Sequence, residues 1–277
     1  MTVILIRKRS AWEQYHQDRE AYGTLEKASL RRLQESHDRH CENVEIIHKA
    51  LKDLRITPWV LDGAETRFKA SPKDLVLAVG GDGTFLSASH NLGSQTIIMG
   101  INSDPLFSKG RFCCLLPRVD QARRAIKKAL TKPKTFQVMR MAVTIDGREV
   151  AKRVLNEALY SHTCPAAMTR VSHKGVRYAC SGMWVGTGAG STGAIRSAGG
   201  KILPLRSPLL QTVVREPCNH VVRRSISLLA KRFEFVSKTQ DATLFLDGPF
   251  LRVPVNFDQV MRFSLSCETL AVVPPTK

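Results

Sequence analysis

The chain has 277 residues, 43% of them hydrophobic, enough for one large domain or two of ordinary size with substantial cores, which excludes disorder as its dominant state. Its formal charge of +18 is unevenly spread: 16 Lys/Arg face 14 Asp/Glu up to Pro117, and 26 face 10 from Arg118 onward. With only 6% aromatic residues and no recognisable nucleic-acid module, this basic part fits attraction of a multiply charged nucleotide better than specific nucleic-acid binding.

No stretch reaches the roughly 18 apolar residues that span a bilayer, and the apolar start Met1–Ile6 precedes the basic Arg7-Lys8-Arg9, the reverse of a secretory signal. The expectation is a soluble, cytoplasmic protein without membrane association. The seven cysteines are scattered and contain no C-x-x-C pair, so free thiols are expected, with neither a disulfide framework nor a zinc site.

In chain order, Val3–Ile6 reads as a strand. A polar stretch follows whose apolar positions Leu30, Leu33, Val44, Ile46, Ile47, Leu51 and Leu54 predict one or two amphipathic helices. Trp59–Leu61 and Leu75–Val79 read as strands, the second a continuous apolar run suited to burial on both faces. Gly80-Gly81-Asp82-Gly83 leads into a helix over 84–90, and 96–102 reads as another buried strand. A basic helix is expected over 121–130.

Beyond Pro133 short β-type runs take over. Val138–Ile145 and Val150–Tyr160 flank Asp146-Gly147-Arg148, a hairpin signal because Asp-Gly tolerates positive φ. Further strands are expected at 168–172, 183–185, 225–229, 242–246 and 263–273, with a turn at Asp247-Gly248-Pro249. The pattern predicts an α/β domain with a Rossmann-like, mostly parallel sheet over 1–132, completed by 250–277, and a mainly β domain over 133–249.

Three constellations could carry chemistry. In Gly80-Gly81-Asp82-Gly83-Thr84 the glycines let backbone N–H groups approach phosphate, and the following helix N-terminus favours negative charge. Asp82 could act there on a hydroxyl or a metal, although any strand-to-helix turn can use Gly and Asp. Asn102 ends the next strand and should reach the same carboxyl edge, where open α/β sheets bind ligands. Asn156-Glu157 places an amide and a carboxylate inside an apolar run, where they need partners such as ribose hydroxyls or a base edge. Gly186 to Gly200 is a run of mostly small residues at a strand-to-helix transition, which tight packing alone could explain.

Together these resemble the NAD kinase family, with its GGDGT turn, later Asn-Glu pair, and glycine-rich T-G-S-T-A segment followed by S-A-G-G. Gly100-Ile101-Asn102-Ser103-Asp104-Pro105, Cys164-Pro165-Ala166, Ala189-Gly190-Ser191-Thr192 and Val214-Arg215-Glu216-Pro217 are similar to the divergent branch of plant-type NADH kinases and animal mitochondrial NAD kinases. GGDGT also occurs in diacylglycerol and sphingosine kinases, which leaves a lipid kinase as the enzymatic alternative. A non-catalytic dinucleotide-binding regulator is the alternative of another class.

The resemblance implies ATP-dependent phosphorylation of the adenosine-ribose 2′-hydroxyl of NAD or NADH, with Mg²⁺ or another divalent cation accompanying ATP. It implies Asp82 as the base and Gly81, Gly83 and Thr84 at the phosphates, with Asn102 nearby. Asn156, Glu157, Thr192, Gly193, Ala194 and Ser197 would hold the dinucleotide, and a homo-oligomer, dimer or tetramer, would be the working form. The main branch has an acidic residue where Ser181 stands and an aromatic where Ala194 stands, so acceptance of NADH is a further expectation.

Overall fold

The computed structural model describes residues 2–18, 20, 23, 25–63, 67–107, 110–218, 227–249 and 251–275. The chain divides into two compact units, residues 1–136 with 270–277 and residues 137–269. Of the segment 250–277 expected to complete the first domain, only 270–277 joins it; the rest belongs to the second unit.

The first unit is built on β1 (Val3–Arg7), β2 (Trp59–Asp62), β3 (Leu75–Gly80), β4 (Ile97–Asn102), the two-residue β5 (Cys113–Cys114) and β6 (Phe136–Val138) at the chain's exit from the unit. The sheet order is β2-β1-β3-β4-β19-β6, with β5 beside β4 and β19 (Leu270–Val272) supplied by the returning C-terminus. Strands β1 to β5 and β19 pair in parallel. Every residue of β3 is buried, as a strand covered on both faces requires.

The chain runs from β1 outward to β2 and then back past β1 to β3. That reversal makes the carboxyl ends of β1 and β3 a topological switch point. Helix Lys27–Asp53 buries Val44, Ile47, Ala50 and Leu51, and helix Val119–Thr131 buries Ala122, Ile126 and Ala129, all in one apolar core with β1, β3 and β4.

The second unit holds two six-stranded antiparallel sheets. Its strands are β7 (Met141–Ile145), β8 (Arg148–Val154), β9 (Glu157–His162), β10 (Thr169–His173), β11 (Val176–Cys180), β12 (Gly182–Gly186), β13 (Leu210–Arg215), β14 (Ser227–Ala230), β15 (Arg232–Ser237), β16 (Ala242–Leu246), β17 (Leu251–Val255) and β18 (Val260–Leu265). One sheet runs β11-β10-β15-β18-β7-β8 and the other β14-β13-β12-β9-β16-β17. Alternate residues of both, among them Val143, Tyr160, Met183, Phe235, Leu244 and Phe263, form the shared core.

Asp146 and Gly147 take φ of 48° and 81° in the β7–β8 turn, the left-handed geometry its Asp-Gly sequence favours. Three runs read as single strands are broken: Val138–Ile145 is the last residue of β6 followed by β7, which lie in different sheets. Val150–Tyr160 is β8 and β9, which lie in different sheets, and the chain crosses between them at Leu155-Asn156. Phe263–Val273 is the end of β18 followed by β19, which enters the other unit's sheet. Ser225 and Ile226 of the expected strand 225–229 lie outside the described residues.

Arg140 is fully buried in the second unit. Its Nε donates to the Glu268 carbonyl at 2.8 Å and its Nη2 to the Thr269 carbonyl at 2.7 Å, pinning the chain just beyond β18. Burial lowers its pKa to about 10, which still leaves it charged at neutral pH. Arg140→Ala would leave these two carbonyls without a donor, so it is expected to lower stability in denaturant melts by about 1–3 kcal/mol for each carbonyl that stays unpaired.

Candidate functional site

In the first unit Gly81 caps the helix Asp82–Ser89, so Asp82 occupies its first turn directly after β3. The Asp82 carboxylate accepts the backbone N–H groups of Arg111 at 2.7 Å and Phe112 at 3.1 Å, and the Cys113 thiol lies 3.7 Å from Oδ1 as a weak donor. These contacts fix the carboxylate while leaving lone pairs for a further donor. Burial, with Asp82 adding to it, raises the Cys113 pKa, so this sulfur stays a thiol.

The turn's other members divide between packing and access. A Cβ on Gly80 would meet Thr84 Oγ1 at 2.3 Å, so the buried Thr84 packs directly over the turn. A Cβ on Gly83 would meet no described atom within 4 Å, which leaves that backbone approachable. Asn102 pairs in register with Gly80 and is buried; its Oδ1 accepts the Asp104 N–H at 3.0 Å. Asp104 in turn accepts from Arg39 at 2.8 Å and from Ser36, both on helix Lys27–Asp53. Asn102 therefore shapes the loop beside the turn.

In the second unit the crossing from β8 to β9 presents three successive backbone donors. The Asp247 carboxylate accepts all of them, from Leu155 at 2.6 Å, Asn156 at 2.7 Å and Glu157 at 3.1 Å. Asp247 follows β16, the neighbour of β9, and its own N–H returns a bond to the Glu157 carbonyl at 2.9 Å. The sequence marked Asp247 only as a turn residue; its carboxylate is what holds the Asn-Glu pair in place.

Burial, reinforced by Asp247, raises the Glu157 pKa to about 8. Glu157 thus carries a proton at neutral pH and can donate as well as accept. Asn156 Oδ1 is buried with no partner among the described residues.

The segment after β12 folds onto this pair. Thr187 donates its hydroxyl to the Leu155 carbonyl at 2.5 Å and its N–H to the Asn156 carbonyl at 2.9 Å. A Cβ on Gly190 would sit 2.4 Å from Glu157 Oε2, so only glycine fits there. Thr192, Gly193 and Ser197 are exposed, and Ala194 is half-buried at the start of a short helix.

Glu157 and Ser181 line a cavity of about 440 Å³, while Ala194 and Ser197 line another of about 450 Å³. Trp184, Arg215 and Glu216 belong to both. Thr192 and Gly193 line neither. Arg215 and Glu216 entered the sequence reading only within the motif Val214-Arg215-Glu216-Pro217, and Trp184 only within a strand, because a lone aromatic there reads as core.

Among the described residues no cluster of three His, Cys, Asp or Glu side chains is placed to hold a metal ion, and no helix is long and apolar enough to cross a membrane.

No family model matches the chain. A probable NADH kinase of Oryza sativa subsp. japonica is 28% identical over 233 residues, covering 73% of this chain and 71% of the relative. An NAD kinase of Rhodopirellula baltica is 30% identical over 222 residues, covering 70% of this chain and 68% of the relative. The crystal structure of an NAD kinase from Archaeoglobus fulgidus, in complex with ATP, superposes with a TM-score of 0.64 at 19% identity, over 99% of this chain and 93% of that one, and so shares its fold. With a GGDGT turn at a sheet switch point, a half-buried Asn-Glu pair and these relatives, the chain belongs to the NAD kinase family.

Proposed function

We propose that this chain transfers the γ-phosphoryl group of ATP to the 2′-hydroxyl on the adenosine ribose of NAD or NADH, giving NADP(H). The observation that carries this reading is Asp82, oriented at the switch point by two backbone N–H groups beside the open Gly83. A carboxylate fixed in this way can accept the proton of an attacking hydroxyl, and such general-base assistance is worth about 10²–10⁴ in rate. Gly83, whose backbone is open, and Gly81 at the helix N-cap give phosphate oxygens access to backbone donors, while Thr84 packs against Gly80.

Asn156 and Glu157 hold the dinucleotide in this account: the unpartnered amide oxygen accepts a hydroxyl or amine, and the protonated Glu157 both donates and accepts. Thr192, Gly193, Ala194 and Ser197 supply further contacts, and Asn102 keeps the loop beside the turn in place. Mg²⁺ or another divalent cation accompanies ATP. Mg²⁺ is carried chiefly by the phosphates rather than by an all-protein cage, which leaves Asp82 to act as the base. Family membership favours a dinucleotide acceptor over a lipid. The seven cysteines are free, which suits a reducing cytoplasm, and a dimer or tetramer is the form we expect.

Asp82→Asn is expected to lower kcat for NADP(H) formation by about 10²–10⁴ while dinucleotide binding persists, as read by a coupled NADP(H) assay and by titration calorimetry. Full activity in that variant would remove the proposed base. Because Ser181 and Ala194 replace a carboxylate and a ring, NADH should be accepted with kcat/KM comparable to that for NAD; a strong preference for NAD would contradict this.

Glu157 gives a prediction with a definite sign. Between the ordinary carboxyl pKa and about 8 the folded chain holds a proton that the unfolded chain has released. Stability should therefore fall as pH rises through that window and level off above it. Glu157→Gln should flatten this slope in denaturant melts run from pH 5 to 9.

A further inference from the structure

The outward face of the sheet containing β9, β12, β13 and β16 carries the two cavities of about 440 and 450 Å³. Met183 and Val185 point into the core, so Trp184 between them faces outward, as do Leu159 and Phe245 on the neighbouring strands. The Trp184 indole is half-buried, and the Arg215 guanidinium lies 5.9 Å from its ring centroid. One cavity contains Glu157 and the other Ala194 and Ser197, so the Trp184–Arg215 pair is the wall common to residues assigned above to the dinucleotide.

Two further details point to a ligand. Ser181 Oγ is buried on the first cavity with no partner among the described residues. In the second cavity Ala194 leaves room that a larger side chain would fill, and Trp184 is the one aromatic residue among those lining it. An indole beside a guanidinium suits a planar base followed by a diphosphate: the ring stacks, and the cation offsets charge.

We propose that Trp184 is the stacking platform for a base of NAD(H), with Arg215 as the cation beside it. The assignment rests on the dinucleotide reading above and deepens it by naming a binding and specificity residue. Stacking of a base on an aromatic ring is worth about 1–3 kcal/mol, so loss of the indole corresponds to about a five- to 150-fold weaker interaction.

The test uses the full chain carrying W12F and W59F, which leaves Trp184 as its single tryptophan. Titration with NADH, NAD and ADP-ribose is read by Trp184 fluorescence, alongside KM for each substrate in W184A and W184F. We expect saturable quenching by NADH, an increase in dinucleotide KM within that range for W184A, little change in KM for ATP, and partial recovery in W184F.

Quenching by ADP-ribose as complete as that by NADH would identify adenine as the stacked base, and quenching confined to NAD and NADH would identify nicotinamide. Absence of quenching at concentrations that saturate turnover, or an unchanged dinucleotide KM in W184A, overturns the proposal. Should W184A fail to fold, the quenching titration and W184F decide. A parent protein that binds NADH but forms no NADP(H) would instead count against the reaction, leaving the platform supported by its fluorescence.

Discussion

Three consecutive N–H groups leave one sheet of the second unit before entering the other, and one carboxylate, that of Asp247, accepts all of them. Unpaired buried donors cost about 1–3 kcal/mol each, so a strand could not cross here without such a partner. The same contact brings a second carboxyl group beside Glu157. Repulsion then adds to burial and keeps Glu157 protonated at neutral pH. The close fit extends to Gly190, where a side chain would collide with Glu157 itself.

The first unit meets a similar requirement by another route. Asp82 is placed by the end of a fully buried strand and aimed by the backbone N–H groups of Arg111 and Phe112. Helix Lys27–Asp53 braces the adjacent loop through Ser36, Arg39 and Asp104, and His40 donates to or accepts from Ser103 at 2.8 Å. Burial, followed by the charge of Lys8, lowers the His40 pKa to about 4, so this brace is uncharged at the histidine at neutral pH.

Much of this was legible in the sequence. The continuous apolar run Leu75–Val79 marked a doubly covered strand, and Asp146-Gly147 marked the hairpin, because each depends on local composition. The breaks inside Val150–Tyr160 and Phe263–Val273 were hidden because strand periodicity continues across them while the chain changes sheets. Cys113–Cys114 is too short for any pattern. At the candidate site, residues with a motif could be proposed in advance, whereas the contacts of Asp247 and Trp184 are made with neighbours distant in sequence.

Asp82 in the first unit and the Asn156-Glu157 pair in the second suit phosphoryl transfer to a dinucleotide. The most direct measurement incubates the protein and Mg²⁺ with ATP labelled in its γ-phosphate and, in parallel, NAD, NADH, diacylglycerol or sphingosine. The account predicts label in NADP or NADPH, attached at the 2′ position, and none in lipid. Label in a lipid acceptor, or none in either dinucleotide, would contradict it.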